Sequence, residues 1–327
     1  MWESAIVITL ISLVAVILLL VGLTLAVSYY TYRKVFRRRR RDYDPLFGLD
    51  KPKFQMNRSF LESLINRISS EPYELVEITA YDGVKLAAKY YHSRNGAPIH
   101  AIFHGYKSSP ERDGSGGGCD ALDLGHNLLL VYERAHGMSD GETISFGIRE
   151  RYDVLSWMMY LTERFGEQSE IILIGTSMGG ASVLMASELA LPPTVKCIIA
   201  DCPYSVPKDI ILNSAREIGY PTGLIYPFIR LGARIFGGFD LEAASAMSAV
   251  KKARIPIIIA HGEDDSVVPV EMSREMAAAA EESGVTCHLK TFEGAEHCMS
   301  FIISYEEYTA WRNDLLRKYI KGFDEVK

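Results

Sequence analysis

The chain has 327 residues, 48% of them hydrophobic and 23% charged, with a formal charge of −6. That is enough apolar material for one large core or two small ones. Five cysteines in no CxxC spacing argue against a disulfide scaffold and are compatible with a reducing compartment, and neither a zinc-ligand spacing nor a GxxxxGK[ST] phosphate loop is present.

Residues 5–28, AIVITLISLVAVILLLVGLTLAVS, contain no charge. At 1.5 Å per residue they make about 36 Å of helix, enough to cross a hydrocarbon layer of about 30 Å with some tilt. A secretory signal would have a basic start and a shorter apolar stretch. Residues 1–28 are therefore expected to be a transmembrane anchor.

Next comes YYTYRKVFRRRRRDYDP. Tyr29, Tyr30 and Tyr32 fit an interfacial aromatic belt. Arg33, Lys34 and Arg37 to Arg41 set seven cations against the single acid Glu3 on the other flank. The positive-inside rule puts this side, and the domain behind it, in the cytoplasm. An arginine run beside an apolar span also suits anionic headgroups better than nucleic acid. Of 35 basic and 41 acidic residues, setting those seven and Glu3 aside leaves 28 against 40, a formal −12 that disfavours a nucleic-acid partner. Residues 29–71 read as a basic juxtamembrane segment leading to an amphipathic linker helix, SFLESLINRISS.

From residue 72 the pattern is that of an α/β domain running to 327. ELVEITAYDGVKLAAKYYH is two strands about an Asp82-Gly83 turn. Strands are expected at Ile99–Phe103, Asn127–Tyr132, Ile171–Ile174, Val195–Ala200, Ile255–Ala260 and Cys287–Phe292. Helices are expected around 147–165, 178–190, 269–283 and 303–321. SGGGCD at 115–120 reads as a flexible loop before a helix. An antiparallel start followed by strand–helix repeats gives a mostly parallel sheet covered on both faces. Residues 204–252 break the repeat. They are too long for a plain crossover and include TGLIYPFIRLGARIFGGFD, so a small helical cap is expected there.

The chemistry sits at IILIGTSMGG, residues 171–180. A strand runs into Gly175-Thr176-Ser177-Met178-Gly179, and a helix follows. A tight turn without chemistry would read the same way. The alternative is a nucleophile elbow, in which flanking glycines allow a strained turn that presents the serine. A serine then needs a base, and the base needs a carboxylate. In this topology the order is Ser, acid, His, each on a loop after a strand. PIIIAHGEDDSVVP (256–269) carries the acids Asp264 and Asp265, and LKTFEGAEHCMS (289–300) carries His297. The amide of Met178 at the helix start is one oxyanion donor, and the amide of Tyr106, in AIFHGYKSS after the third strand, is the other.

These segments resemble the α/β hydrolases, and within them the serine-aminopeptidase-like and prolyl-oligopeptidase-related group with its many membrane-anchored bacterial hydrolases. The resemblance covers about residues 72–321. It is carried by FHGYKSS, by NLLLVYERAHGMSDG, by GIRERYDV through Gly147, Glu150 and Asp153, by HGEDDSVVP and by GAEHCMS. The chain departs from the pattern around Glu133 and at Ala135, where the family has glycine. The resemblance implies the α/β hydrolase fold and a triad of Ser177, Asp265 and His297, with Asp265 rather than Asp264 as its acid. No cofactor or metal is implied.

The expected activity is a membrane-anchored serine hydrolase cleaving carboxylic or thio esters through an acyl-enzyme. The apolar cap suits an acyl or aromatic ester, and the anchor suits a lipid-derived one. A peptidase or an acyltransferase on the same triad, or a binding protein that kept the fold, stays open at this point. The sequence leaves the oligomeric state unassigned.

Overall fold

The computed structural model describes residues 2–38, 45–46, 49 and 52–324. A long helix α1 (Trp2–Val35) comes first, then a 3-10 turn at Pro52–Asn57 and α2 (Arg58–Ser70). The strands β1 (Glu74–Thr79) and β2 (Lys85–Tyr91) form the hairpin that Asp82-Gly83 announces, with Gly83 at φ +86°. There follow β3 (Ile99–Phe103), α3 (Pro110–Asp113), α4 (Ser115–Asp123), β4 (Asn127–Val131), α5 (Glu150–Phe165), β5 (Ile171–Thr176), α6 (Met178–Ala186) and β6 (Val195–Asp201). Three helices, α7 (Pro207–Glu217), α8 (Thr222–Ile235) and α9 (Ala246–Val250), fill the interval before β7 (Ile257–Gly262). The chain closes with α10 (Val270–Glu282), β8 (Cys287–Phe292), α11 (Ser300–Ile303) and α12 (Tyr305–Tyr319).

The eight strands form one sheet in the order β1-β2-β4-β3-β5-β6-β7-β8. Only β2 runs against its neighbours; from β4 onward every pairing is parallel. Alternation along the strands divides the apolar side chains between two layers. Leu129, Val131, Ile171 and Leu173 meet Trp157 of α5 and Leu184 of α6 on one face. Ile172, Ile199 and Ile258 meet Leu315 and Leu316 of α12 on the other, where Leu128 and Leu130 meet Ile68 of α2 and Cys119 of α4. A parallel sheet covered on both sides carries its loops, and hence its ligands, at the carboxyl ends of the strands.

Two expectations change. The segment 115–118, with its three glycines, is not a loop but the first turn of α4. Its glycines are there for close packing: a Cβ on Gly116 would lie 2.4 Å from the Phe301 ring, and one on Gly118 3.0 Å from Leu128. The N-terminal helix also does not stop at 28. It continues through Tyr29–Val35 because one stripe, Thr24, Val27, Ser28, Thr31, Tyr32 and Val35, is covered while its other sides stay exposed.

The covering partner is α8. Gly232 approaches so closely that a Cβ there would lie 2.4 Å from the Ser28 carbonyl. Thr31 donates its hydroxyl to the Phe228 carbonyl at 3.2 Å, and the Phe236 ring stands 5.0 Å from Tyr29. Phe36 is then fully buried between Phe146 and Phe239. Within the juxtamembrane segment, residues 29–38 are thus packed on the domain. Arg38 donates to the carbonyls of Gly137 and Ser139, and Arg37 faces Glu142. Of the five-arginine run, these two are engaged by the protein, and Arg39 to Arg41 lie outside the described residues. Among the described residues one helix, α1, is long and apolar enough to cross a membrane.

Candidate active site

Ser177 sits between the last residue of β5 and the first of α6, with φ +54° and ψ −112°. Two glycines make that turn possible. A Cβ on Gly175 would lie 2.2 Å from the Gly179 carbonyl oxygen, and one on Gly179 2.2 Å from that of Phe103. Strand and helix therefore touch through bare backbone. The Ser177 amide donates to the Asp201 carbonyl at 2.8 Å, which pins the elbow to β6.

His297 reaches Ser177 from the loop after β8, its Nε2 2.9 Å from the Ser177 Oγ. Its Nδ1 is 2.7 Å from Asp265 Oδ2. Because a carboxylate can only accept, Nδ1 holds the proton and Nε2 is left to accept from the serine hydroxyl. Asp265 Oδ1 accepts the amides of Val267 and Val268 at 2.9 and 2.8 Å. His261 Nε2 lies 3.2 Å from Asp265 Oδ2 and 2.9 Å from the Val268 carbonyl. Both are acceptors, so that nitrogen carries its proton, while Nδ1 accepts from Ser273 at 2.7 Å. Burial alone would raise the Asp265 pKa, yet these donors hold it well below the usual carboxylate range. For His297 burial works against the charged form, but the neighbouring Cys298 sulfur and the Asp265 carboxylate outweigh it, leaving the pKa above the ordinary histidine value.

The sequence therefore brings Ser177, His297 and Asp265 together in hydrogen-bonding order, and Asp264 is not in the line. The expected oxyanion segment also passes the serine. A Cβ on Gly105 would come 3.3 Å from Ser177 Cβ, and the Gly105 amide is held by Asp113 at 2.7 Å. Met178 occupies the first position of α6, where a helix leaves its amides unpaired within itself. Tyr106 lines the cavity over Ser177 and packs on Phe146, and its hydroxyl donates to the Val35 carbonyl at 2.6 Å.

Several supporting residues are not singled out by sequence reasoning. His104 and His136 hold the oxyanion segment from beneath. His104 Nε2 accepts the Glu133 amide at 3.1 Å, and His136 Nε2 accepts the Lys107 amide at 2.9 Å, with Lys107 at φ +53°. Burial depresses both imidazoles, to about 4 and about 3, so both stay neutral acceptors. Arg134 clamps Asp153 at 2.5 Å and Asp82 at 2.8 Å, fixing the loop that carries His136. Ala135 takes φ +61°, the left-handed conformation that explains a family glycine there. His136, Glu150 and Asp153 lie in motifs the sequence displays, so the signal existed; the partners it implied did not.

Asp201 and Cys202, at the end of β6, carry no motif. Burial raises the Asp201 carboxyl to about 7, with the Tyr308 hydroxyl against it, and Asp201 lines the cavity. Cys202 Sγ is 3.4 Å from Cys298 Sγ. With His297 these thiols place ligand atoms within 4.8 Å of one another. Both ring nitrogens of His297 are already engaged by Ser177 and Asp265. The group therefore offers two thiols and no free imidazole nitrogen to a metal.

A cavity of about 780 Å³ opens over Ser177 and His297. Its wall includes Tyr204, Ile210, Ile211, Ile225 and Ile229 from the segment between β6 and β7, and Tyr30, Thr31, Lys34 and Val35 from α1.

This sheet order, with a serine on the elbow after β5 and a histidine loop after β8, is that of the α/β hydrolases, and the chain is a serine hydrolase of that fold. Its membership is narrower than the fold. The sequence profile of the prolyl oligopeptidase family matches residues 145–319, over half of the chain, and the chain belongs to that family. It is 27% identical over 188 residues to the uncharacterized protein YqkD of Bacillus subtilis, covering 57% of this chain and 61% of that one. It is 24% identical over 269 residues to the bifunctional esterase/perhydrolase DCH of Acinetobacter calcoaceticus, covering 68% and 92%. Among solved structures it resembles the Pyrococcus furiosus esterase Pf2001, with a TM-score of 0.64 at 22% identity over 86% of this chain and 96% of that one. At that identity the likeness is one of fold.

Proposed function

We propose that this chain is a membrane-anchored esterase that cleaves carboxylic or thio esters through Ser177, His297 and Asp265. The observation that carries the reading is the unbroken line of hydrogen bonds from Asp265 through His297 to Ser177, ending beneath a largely apolar cavity. His297 takes the hydroxyl proton as Ser177 attacks the carbonyl carbon, and Asp265 stabilises the imidazolium. The amides of Tyr106 and Met178 receive the developing oxyanion. His297 then protonates the leaving group, and water activated by the same imidazole releases the acyl-enzyme. In this reading residues 1–28 anchor the chain, 29–71 join anchor to domain, and 72–327 form the hydrolase domain with its cap at about 204–252. The esterase likeness of DCH and the apolar wall favour esters over peptides.

The test is hydrolysis by the full chain of p-nitrophenyl esters of increasing acyl length, beside aminoacyl p-nitroanilides and with added acceptor alcohols. Ser177→Ala should lower ester turnover at least about 10⁴-fold. Turnover that survives Ser177→Ala overturns the reading. Faster cleavage of the anilides marks a peptidase, and acyl transfer to the alcohol in preference to water marks an acyltransferase.

The charge asymmetry about α1 supports a cytoplasmic domain. Cys119 is buried and useless as a native topology label, whereas Met56 is 91% exposed. Met56→Cys should react with an impermeant maleimide only after cells are opened; reaction in intact cells reverses the orientation.

A further inference from the structure

Helix α1 does more than precede the domain. Tyr30, Thr31, Lys34 and Val35 line the same cavity as Ser177 and His297. Five lining residues are also exposed, and they mark the opening: Tyr30 at 50%, Ile218 at 72% and Tyr220 at 42%, together with Lys34 and Ser214. Leu224, 73% exposed, stands beside them at the start of α8. The opening thus lies between α1 and the end of α7 with the turn that follows it, and its rim sets Tyr30, Ile218 and Tyr220 beside the polar Lys34 and Ser214.

The depth of that opening follows from α1 itself. About 20 helical residues span a hydrocarbon layer of about 30 Å. Such a span counted from Ile6 ends at Leu25, and the uncharged run ends at Ser28. Tyr30 lies just beyond, at the level where aromatic residues sit in a membrane interface, and the first cations, Arg33 and Lys34, follow. Tyr30 also lines the cavity, so the helix that carries the apolar run supplies part of the cavity wall. A long acyl chain crossing water loses a favourable contribution for every methylene exposed, and a route from leaflet to cavity avoids that loss.

We infer that the substrate is a lipid carboxylic ester taken directly from the bilayer leaflet through this opening, with Tyr30, Lys34 and Val35 of α1 helping to select it. The inference rests on the anchored-esterase reading. The leaflet is what meets this opening, because Tyr30 on its rim lies two residues beyond the uncharged run of α1 and shares the cavity with Ile218 and Tyr220.

The experiment uses the full chain in phosphatidylcholine vesicles. It compares 4-methylumbelliferyl palmitate embedded in those vesicles with p-nitrophenyl acetate dissolved in water. Ile218→Glu and Leu224→Glu place a charge on exposed positions, and vesicle flotation checks that each variant stays bound. The expected result is a roughly tenfold fall in the ratio of kcat/KM for the embedded ester to that for the soluble one, in either variant. A ratio within twofold of the wild type, with both esters cleaved, overturns the entry route and leaves the esterase reading standing. A wild-type chain that cleaves neither ester overturns both.

Discussion

At the residue scale the site depends on one carboxylate and two glycines. Asp265 fixes the His297 tautomer and favours the imidazolium. A general base works in its neutral form, so kcat/KM should rise with pH through the His297 pKa, with a midpoint above 6.5 because that pKa is raised. Cys298 and Asp265 both raise it, and Asp265→Asn removes the second of these contributions. The midpoint should then move to lower pH while kcat falls by about 10³–10⁴, and a pH–rate profile of the two proteins checks both. Gly179→Ala sets its Cβ 2.2 Å from the Phe103 carbonyl oxygen, which as backbone cannot turn aside, and should cost at least about 3 kcal/mol in a denaturation midpoint series. Ser177, Asp265 and His297 were legible in the sequence because each follows a strand in an order the topology requires. His261, Asp201 and Cys202 were not, because their roles come from contacts between loops far apart in the chain. His261 stood in view within HGEDDSVVP, but only geometry shows it bonded to Asp265.

At the element scale the parallel strands read true because apolar runs bounded by turns leave little choice of layer. Their ends moved by a residue or two, as at β7, which begins at Ile257 rather than Ile255. The glycine run of α4 misled because glycine opposes helix locally, and only Phe301 and Leu128 show why it is used. The continuation of α1 was hidden for a related reason. Tyr29 to Val35 look interfacial by composition, and the α8 partner lies about two hundred residues away. That contact gives a direct prediction. Gly232→Leu cannot keep α8 against the Ser28 carbonyl, so amide hydrogen exchange across Thr222–Ile235 should speed up markedly while exchange in β5 and β6 is unchanged. Equal protection of α8 in the variant would show that α1 contributes nothing to holding it.

At the scale of the whole molecule, among the described residues α1 packs on the domain only through its last turns. The helix is unbroken from Trp2 to Val35, about 51 Å at 1.5 Å per residue. Near Ser28 it is clamped by Gly232, and its final carbonyl, that of Val35, receives the hydroxyl of Tyr106, whose ring lines the cavity over Ser177. In the anchored reading proposed above, that is a lever with a long arm in the lipid and a short arm of about 10 Å on the enzyme. Transmembrane helices answer a change in bilayer thickness by tilting. A tilt change of about 10° would carry the short arm through about 2 Å, and a catalytic group misplaced by about 1 Å can cost about 100-fold in rate. Turnover of one soluble ester by the anchored chain should therefore differ several-fold between vesicles of short-chain and long-chain phosphatidylcholine. Tyr106→Phe, which removes the hydroxyl tie while keeping the ring and the amide, should flatten that difference. In the anchored reading, the helix that holds the enzyme at the membrane would then also make its rate a gauge of how thick that membrane is.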